Sequence, residues 1–594
     1  MMAKSVRLSL SCLFIMAFLL FSCNSSSTTT STPATTINAS TSSPAQTATI
    51  TTSDIPEYGG TLTLIPLWSD IGIFDGIATG QILGAAAQLA RDGYLDVDWT
   101  RGAAGTGEFN WGPNTTAVPD TCMGILAESW EIPELGTVVY KVRQGVHWVL
   151  NPKSEASRLM NGREVTADDW VASFSYFMGP KSSLRFYVPQ LFGTATMEKT
   201  GPWEVTLKTP VDPLVGWNWL ALGGLFPPEV IAKYGNMQDW HNFVHTGPFM
   251  INDYVPGSSA TLTRNPDYWQ KDPVGTGKGN QLPYIDTVRM LVTVDISTMI
   301  AALRTAKVDF FTGVPAEDSG MFIQSYPELK YTTYVAGNPV GIAMRLDKTE
   351  LPFKDKKVRQ ALMIATDFYS IKDDYYDGMA DILSFPVTGE AQGVYMPLEE
   401  MPESAQSLYR YDPDRAKTLL MEAGYPDGFT AKVVFWNGAD FPDLASVLVE
   451  MWAKAGINLI LEPKELGAFT TIAYSKSYEE LILSNFLTGS LYPNCLSLGY
   501  FRGLNFGYVN DPFIDSASEE IQKHVIIDMP EANRLFRELT PYIVEQVYYL
   551  PLPNVYAYSL WWPWLKNYHG ETPIQFAKYW WIDRDLKEDM TGKR

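Results

Sequence analysis

The stretch from residue 433 to residue 461 constrains the fold more than any other part of the chain. Residues 433–435 form a short apolar run, residues 443–455 carry apolar side chains at helical spacing, and residues 457–461 are again strand-like. Gly456 is a helix stop between the second and third stretches. A strand, a helix and a strand at this spacing predict a βαβ unit, whose parallel strands belong to a sheet covered on both faces. We therefore expect an α/β chain.

Other stretches in the first half also have the pattern of regular elements. Residues 59–65 alternate after a pair of glycines and predict the strand that opens the first domain, and residues 138–142 predict another strand. Residues 76–92 have the apolar spacing of a helix. Thr166, followed by Asp169, predicts a capping box at the start of a further helix.

The beginning of the chain has the pattern of an export signal. Two basic residues precede an apolar run that is too short to span a membrane and that stops just before Cys23. We predict that residues 1–22 are a lipoprotein signal peptide and that Cys23 carries the lipid. Residues 23–54, which are mostly Ser, Thr, Ala and Pro, are predicted to be a disordered tether. The alternative is ordinary secretion without a lipid.

Charge and composition exclude some partners. The chain of 594 residues has a formal net charge of −21, so nucleic acid is a poor partner, because phosphate binding depends on basic patches. Beyond the tether there are roughly 540 residues, too many for one compact core, and we expect two or three. No later window holds eighteen uninterrupted apolar residues, so a second membrane span is not expected.

The residue types that carry metal or covalent chemistry are sparse. Five histidines are present, and none has the paired spacing of zinc ligands. Neither a Gly-x-Ser-x-Gly elbow nor a Walker loop occurs. We therefore expect no metal site, no cofactor and no catalytic residues.

A series of short motifs resembles the family 5 extracellular solute-binding proteins, which are the dipeptide, oligopeptide and nickel receptors of ABC importers. The resemblance begins at Leu126-Ala127-Glu128-Ser129-Trp130, and further motifs follow in the family's order over nearly the whole mature chain. They lie at residues 140–145, 161–177, 246–249, 264–269, 302–304 with 308–310, 353–362, and 411–413 with 423–429. Most of these residues also have structural explanations in turns and cores.

The resemblance implies a two-lobe, type II periplasmic-binding-protein-like fold with a hinge between the lobes. Lobe I would take residues 55–308, with an extra subdomain at about 95–200, and would regain the chain at 552–594. Lobe II would take residues 309–551. The hinge crossings would then lie at residues 309–314 and 549–555. Since Cys122 and Cys495 would fall in different lobes, we expect two buried free thiols and no disulfide.

One departure from the family's pattern bears on the ligand. Peptide-binding members commonly use a lobe II carboxylate, after the βαβ unit, to pair with the peptide's α-amino group. The corresponding segment here, residues 481–494, contains no acid, and the acid-free stretch continues to residue 510. A buried ammonium without a counter-charge costs several kcal/mol. We therefore expect a blocked or internally recognised peptide, or an oligosaccharide.

Most candidate ligand-binding residues combine a neutral hydrogen-bonding group or an aromatic face with a position after a strand, and Arg345 is added as a cation that would favour a carboxylate or a hydroxyl. Trp436 is the strongest of them because it ends the first strand of the βαβ unit. The full set is Trp436, Asn437, Asn485, Phe486, Thr488, Tyr492, Arg345 and Trp68.

Together these observations predict the substrate-binding lipoprotein of an ABC importer. It would be a monomer in the cell envelope that captures a peptide or saccharide and passes it to the permease subunits, with no enzymatic activity. Three alternatives stay open: an oligosaccharide-binding member of the family, a signalling receptor, and an extracellular glycoside hydrolase that uses Asp168 and Asp169. Nickel bound through a chelator also stays open.

Overall fold

A computed structural model describes residues 55–593 except 67–70, 80–82, 114–116, 187, 294, 336–338, 392, 439–440, 486–491 and 494–504. The strands are β1 (Thr61–Leu64), β2 (Leu95–Val97), β3 (Cys122–Gly124), β4 (Ala127–Glu134), β5 (Thr137–Val142), β6 (Thr196–Gly201), β7 (Glu204–Lys208), β8 (Phe249–Val255), β9 (Ser259–Arg264), β10 (Thr287–Leu291), β11 (Phe310–Pro315), β12 (Lys330–Val335), β13 (Gly341–Met344), β14 (Ala380–Asp381), β15 (Phe429–Trp436), β16 (Ile457–Lys464), β17 (Leu481–Ser484), β18 (Tyr549–Pro551), β19 (Asn554–Trp561), β20 (Leu565–Lys566) and β21 (Trp581–Ile582).

The helices are α1 (Gly76–Thr79), α2 (Ala85–Ala90), α3 (Glu155–Met160), α4 (Ala167–Phe177), α5 (Pro213–Gly216), α6 (Pro228–Tyr234), α7 (Ile296–Arg304), α8 (Ala316–Ser325), α9 (Lys356–Ile364), α10 (Phe368–Ser370), α11 (Glu403–Gln406), α12 (Pro413–Glu422), α13 (Phe441–Ala453), α14 (Leu466–Ser475), α15 (Pro512–Val525), α16 (Met529–Gln546) and α17 (Arg584–Thr591). Among the described residues, no helix is long and apolar enough to cross a membrane.

Two mixed sheets form the framework of the molecule. The first sheet has the order β12-β19-β11-β1-β10-β9-β8, with β14 paired to β19, and the second sheet has the order β16-β15-β17-β13-β18. A small antiparallel sheet, β4-β5-β7-β6, lies between the first and second β-strands of the first sheet along the chain. Buried apolar side chains of the described residues form three clusters: one around the first sheet, one on the second, and one that joins the small-sheet region to the second half of the chain.

The predicted βαβ unit is confirmed as β15, α13 and β16. The two strands are parallel and in register from Phe429 with Ile457 to Trp436 with Lys464. Gly456 has φ +87° and provides the turn from α13 into β16. Gly428 must also be glycine, because a Cβ there would lie 1.8 Å from the carbonyl oxygen of Gly456.

The predictions for the first half are confirmed in most places. Strand β1 takes residues 61–64 of the predicted run 59–65, and β5 covers residues 138–142. The capping box is present at α4: the Asp169 carboxylate accepts a 2.8 Å hydrogen bond from the Thr166 backbone N–H. The predicted single helix over residues 76–92 is wrong. Gly84 is extended, with ψ 157°, and α2 begins only after it.

The chain passes from the first sheet to the second later than residues 309–314. Asp309 is 1% exposed and is bound by the Thr63 backbone N–H at 2.6 Å and by the Lys587 Nζ at 2.8 Å, which fixes β11 in the first sheet. Strand β12 then pairs with β19 in the same sheet, so the passage falls between Val335 and Gly341. The return passage falls between β18 and β19, within the predicted residues 549–555.

Cys122 is buried, and burial raises the pKa of its thiol. Cys495 lies outside the described residues, so its pairing stays a prediction.

Candidate functional site

One end of the second sheet collects the carboxyl ends of its parallel strands. Strands β15 and β17 run parallel, so Trp436 and Ser484 finish at the same end. Ser484 also pairs with Gly341, the first residue of β13, and Gly341 pairs with Pro551, the last residue of β18. The two passages, which connect β12 to β13 and β18 to β19, therefore both reach the second sheet at this end. We call this the crossing end, and the opposite end of the same sheet the far end.

The first sheet presents its own strand ends to the same passages. Val335, which ends β12, pairs with Tyr556, and Pro315, which ends β11, pairs with Ala557. Strand β1 runs parallel to β11, so the residues after Leu64 are directed the same way. In open sheets, ligands bind beyond the carboxyl ends of parallel strands. The carboxyl ends of parallel strands in the first sheet and in the second sheet are thus both directed toward the two passages.

The side chains of Asp381, Ser384 and Glu390 lie at the passages and were missed by the sequence reasoning. The Tyr556 hydroxyl donates a 2.6 Å hydrogen bond to Asp381, and burial together with this bond raises the pKa of Tyr556. The Val335 backbone N–H donates to the Glu390 carboxylate at 2.9 Å, and the Ser384 hydroxyl donates to the Leu552 carbonyl at 3.0 Å. The signal was hidden because β14 is only two residues long and has no period.

Trp436 and Asn437 lie at the crossing end. The Trp436 ring is partly buried and lies 6.0 Å from the Phe441 ring. Gly438 leaves room for this ring, since a Cβ there would be 2.5 Å from the indole. The Asn437 backbone N–H donates to the Lys464 carbonyl at 2.7 Å, which continues the ladder and leaves the amide side chain exposed.

Asn485 and Tyr492 come after β17. Asn485 directly follows Ser484 and is half-buried at the crossing end. Tyr492 is 9% exposed, and its ring packs 4.7 Å from the Phe536 ring of α16, so most of its aromatic surface serves the core. Phe486, Thr488 and Trp68 lie outside the described residues.

The structure does not bring Arg345 to these residues. Arg345 follows Met344, which pairs with Leu481 at the far end. Its guanidinium makes two 2.7 Å hydrogen bonds to Asp347 and one of 2.6 Å to the Tyr478 carbonyl. It also lies 4.5 Å from the centre of the Tyr508 ring. The sequence could not reveal this, because an arginine at either end of a four-residue strand has the same pattern.

The acids that the hydrolase alternative requires are occupied or exposed. Both oxygens of Asp169 accept hydrogen bonds from the Arg163 guanidinium, at 2.6 and 2.9 Å, and Asp168 pairs with Lys199 at the surface. In the part of the chain that the structure describes, no group of three His, Cys, Asp or Glu side chains could hold a metal ion.

Comparisons with known proteins agree with this architecture. The model of the bacterial extracellular solute-binding proteins, family 5 (middle), matches residues 121–501. The glutathione-binding protein GsiB of Salmonella typhi is 25% identical over 373 residues, which are 61% of this chain. The match spans 65% of that relative's own length. The oligopeptide-binding protein AppA of Bacillus subtilis is 25% identical over 499 residues, 77% of this chain and 83% of AppA.

Solved structures establish the fold. The Bacillus subtilis AppA structure, in complex with a nonapeptide, has a TM-score of 0.64 at 21% identity and covers 89% of this chain and 99% of that chain. The structure of AgaA from A. tumefaciens R10, in complex with agropinic acid, has a TM-score of 0.64 at 21% identity and covers 88% and 99%. The type II periplasmic-binding-protein fold expected from the sequence is confirmed.

Proposed function

Since the chain belongs to the bacterial extracellular solute-binding proteins of family 5, we propose that it is the substrate-binding component of an ABC importer. It captures a small polar solute and delivers it to the permease subunits in the membrane. The observation that supports this proposal is that parallel strands of both sheets direct their carboxyl ends toward the two passages between the sheets.

The solute is proposed to lie between the crossing end of the second sheet and the facing end of the first. Trp436 would supply an aromatic face, and Asn437 and Asn485 would supply amide groups. Neither amide side chain makes a hydrogen bond with the residues that the structure describes; the Asn437 side chain is exposed and Asn485 is half-buried. We place lobe I on the first sheet and lobe II on the second, with a hinge at the two passages that permits closure.

The solute class is proposed to be peptide-like. GsiB is named for glutathione and AppA for oligopeptides, whereas AgaA holds agropinic acid. The missing carboxylate in residues 481–510 favours a peptide whose amino end is blocked or read elsewhere, or an oligosaccharide. A peptide with a free amino group is a second possibility, because Asp381 and Glu390 bring carboxylates to the passages that could pair with its ammonium.

We propose that the protein is a monomer held in the cell envelope by a lipid on Cys23, with the following residues as the tether. The pattern of the leader supports this placement. Cells grown with a clickable palmitate analogue should label the wild-type protein. The Cys23→Ser variant should be unlabelled, and equal labelling of both would contradict the anchor.

Mass spectrometry of small molecules released from the purified protein by mild denaturation tests the function. The proposal expects a peptide or related solute at close to one molecule per chain. Incubation of the same preparation with a panel of glycans and peptides should leave them unchanged. Turnover of any of them would contradict a purely binding role.

A further inference from the structure

A cavity away from the passages is lined by residues between 83 and 248 and by residues between 573 and 578. Its volume is about 450 Å³, within the range of small-molecule pockets. Residue Pro248, which lines it, precedes β8. The strand pairings place the start of β8 at the same end of the first sheet as Thr61, the first residue of β1, with β9 and β10 between them. The passages lie at the other end of β1, so this cavity is separate from the proposed solute site.

Two cations line the cavity from different elements. Arg91 follows α2, and Lys578 ends the short helical turn Ile574–Lys578. Lys578 is 2% exposed. Neither cation forms an ion pair or a side-chain hydrogen bond with the residues that the structure describes. Lys578 is buried with its Nζ 5.2 Å from the centre of the Tyr579 ring, and Arg91 is partly buried. Removing a cation from water without a direct counter-charge is costly, so both groups are suited to an anion.

Asp92 and Asp96 line the same cavity, but neither forms a salt bridge with Arg91 or Lys578. Asp92 accepts hydrogen bonds from neutral donors: the Tyr268 hydroxyl at 2.9 Å, the Trp269 Nε1 at 3.2 Å and the Thr246 hydroxyl at 3.3 Å. Asp96 is held by the Val97 backbone N–H at 2.8 Å and by the Gln575 amide at 3.3 Å.

Burial determines the electrostatics of the cavity. Burial raises the pKa of Asp96 and lowers that of Arg91, and the Asp96 charge partly offsets the second effect. The Asp96 carboxylate interacts electrostatically with both Arg91 and Lys578, so its charge opposes an incoming anion at these two cations.

The rest of the lining is largely apolar. It includes the side chains of Leu83, Leu95, Val97, Ile125 and Leu222. A purely hydrophilic anion would leave this surface uncovered, whereas an aliphatic body would bury it.

We propose that this cavity binds a small monocarboxylate with an apolar body, its carboxylate held by Arg91 and Lys578. The proposal does not depend on the solute proposed for the crossing end. It assigns to the chain a second ligand site built on the first sheet and its neighbouring segments.

Calorimetric titration of the full-length protein with hexanoate at low salt tests the proposal. We expect hexanoate to bind. Hexan-1-ol should bind at least about tenfold more weakly because it lacks the charge, since a hydrogen bond to a charged group is worth a factor of this size. Inorganic phosphate should also bind at least about tenfold more weakly, because it lacks an apolar body to bury against the lining. Lys578→Met and Arg91→Met should each weaken hexanoate by about tenfold or more. Lys278→Met, a change at an exposed lysine outside the cavity, should leave the affinity unchanged.

Asp96→Asn gives a test that damage to the fold cannot imitate. It removes the charge that opposes the carboxylate, so hexanoate should bind several-fold more tightly, whereas a damaged cavity would bind more weakly. No hexanoate binding to the wild-type protein, equal binding of phosphate, or weaker binding by Asp96→Asn would each overturn the proposal. Titration of a Trp436→Ala variant separates the two sites, because hexanoate affinity should be unaltered there.

Discussion

The two ends of the second sheet differ in how their polar groups are used. At the far end, the Arg345 guanidinium is bound by Asp347 and by the Tyr478 carbonyl, and Lys348 pairs with Glu479 at 2.7 Å. At the crossing end, the amides of Asn437 and Asn485 make no such bonds within the described part of the chain. Groups that are already paired stabilise a fold, and groups left open can recognise a ligand. We therefore propose that the far end is structural and that the crossing end recognises the solute.

Loss of Arg345 should have the largest effect, and on stability alone. Arg345→Met removes the charged hydrogen bonds to Asp347 and the Tyr478 carbonyl, so the free energy of unfolding should fall by about 3 kcal/mol. The affinity for the co-purified solute should stay within about twofold, because the guanidinium is far from the crossing end. Urea denaturation and calorimetry measure the two quantities. A large loss of affinity in a folded variant would erase the distinction between the ends.

Loss of the Trp436 ring should have the opposite profile. Trp436→Ala removes an aromatic face, and we expect the affinity for the solute to fall by about thirtyfold, or about 2 kcal/mol. Tyr474→Ala is a matched control, since Tyr474 is 55% exposed on α14. Equal affinity of the Trp436→Ala and control variants would remove Trp436 from the site.

A carboxylate added at the crossing end should change the preference among ligands. Asn485→Asp would place a counter-charge after β17, and the affinity for trialanine should rise by about fivefold. Acetylated trialanine, which lacks the ammonium, should gain nothing. If both peptides gain equally in calorimetric titrations, the ammonium is not near residue 485.

Lowering the pH should weaken the Arg345–Asp347 ion pair at the far end, and this is the smallest of the expected effects. The Arg345 guanidinium holds the pKa of Asp347 below its ordinary value. The stabilisation is complete above the ordinary pKa of an aspartate and is lost as pH falls through the lowered value. The difference in melting temperature between wild type and Arg345→Met should therefore shrink from pH 7 to below pH 3. A difference that stays constant would mean that the ion pair contributes nothing.

Sequence patterns predicted the elements with strong local signals. The βαβ unit at residues 433–461 and the capping box at Thr166 depend on neighbours along the chain, so their periodicity and spacing were enough. The break at Gly84 was not visible, because it follows from contact with Ile71, where a Cβ would lie 2.6 Å from the carbonyl.

The site was less predictable than the fold for the same reason. The position of Trp436 was predictable because the carboxyl end of a parallel strand is a local feature of the sequence. The place of Arg345 depends on the antiparallel direction of β13, and the role of Asp381 depends on a two-residue pairing with β19. Neither feature leaves a period in the sequence.

Hydrogen exchange measured on the protein with its co-purified solute, and again after the solute is removed, tests the central claim most directly. We predict that the solute slows exchange in residues 379–390 and 434–438 and leaves exchange in residues 345–348 and 476–480 unchanged. Slower exchange at the far end alone, or no difference at the crossing end, would contradict it.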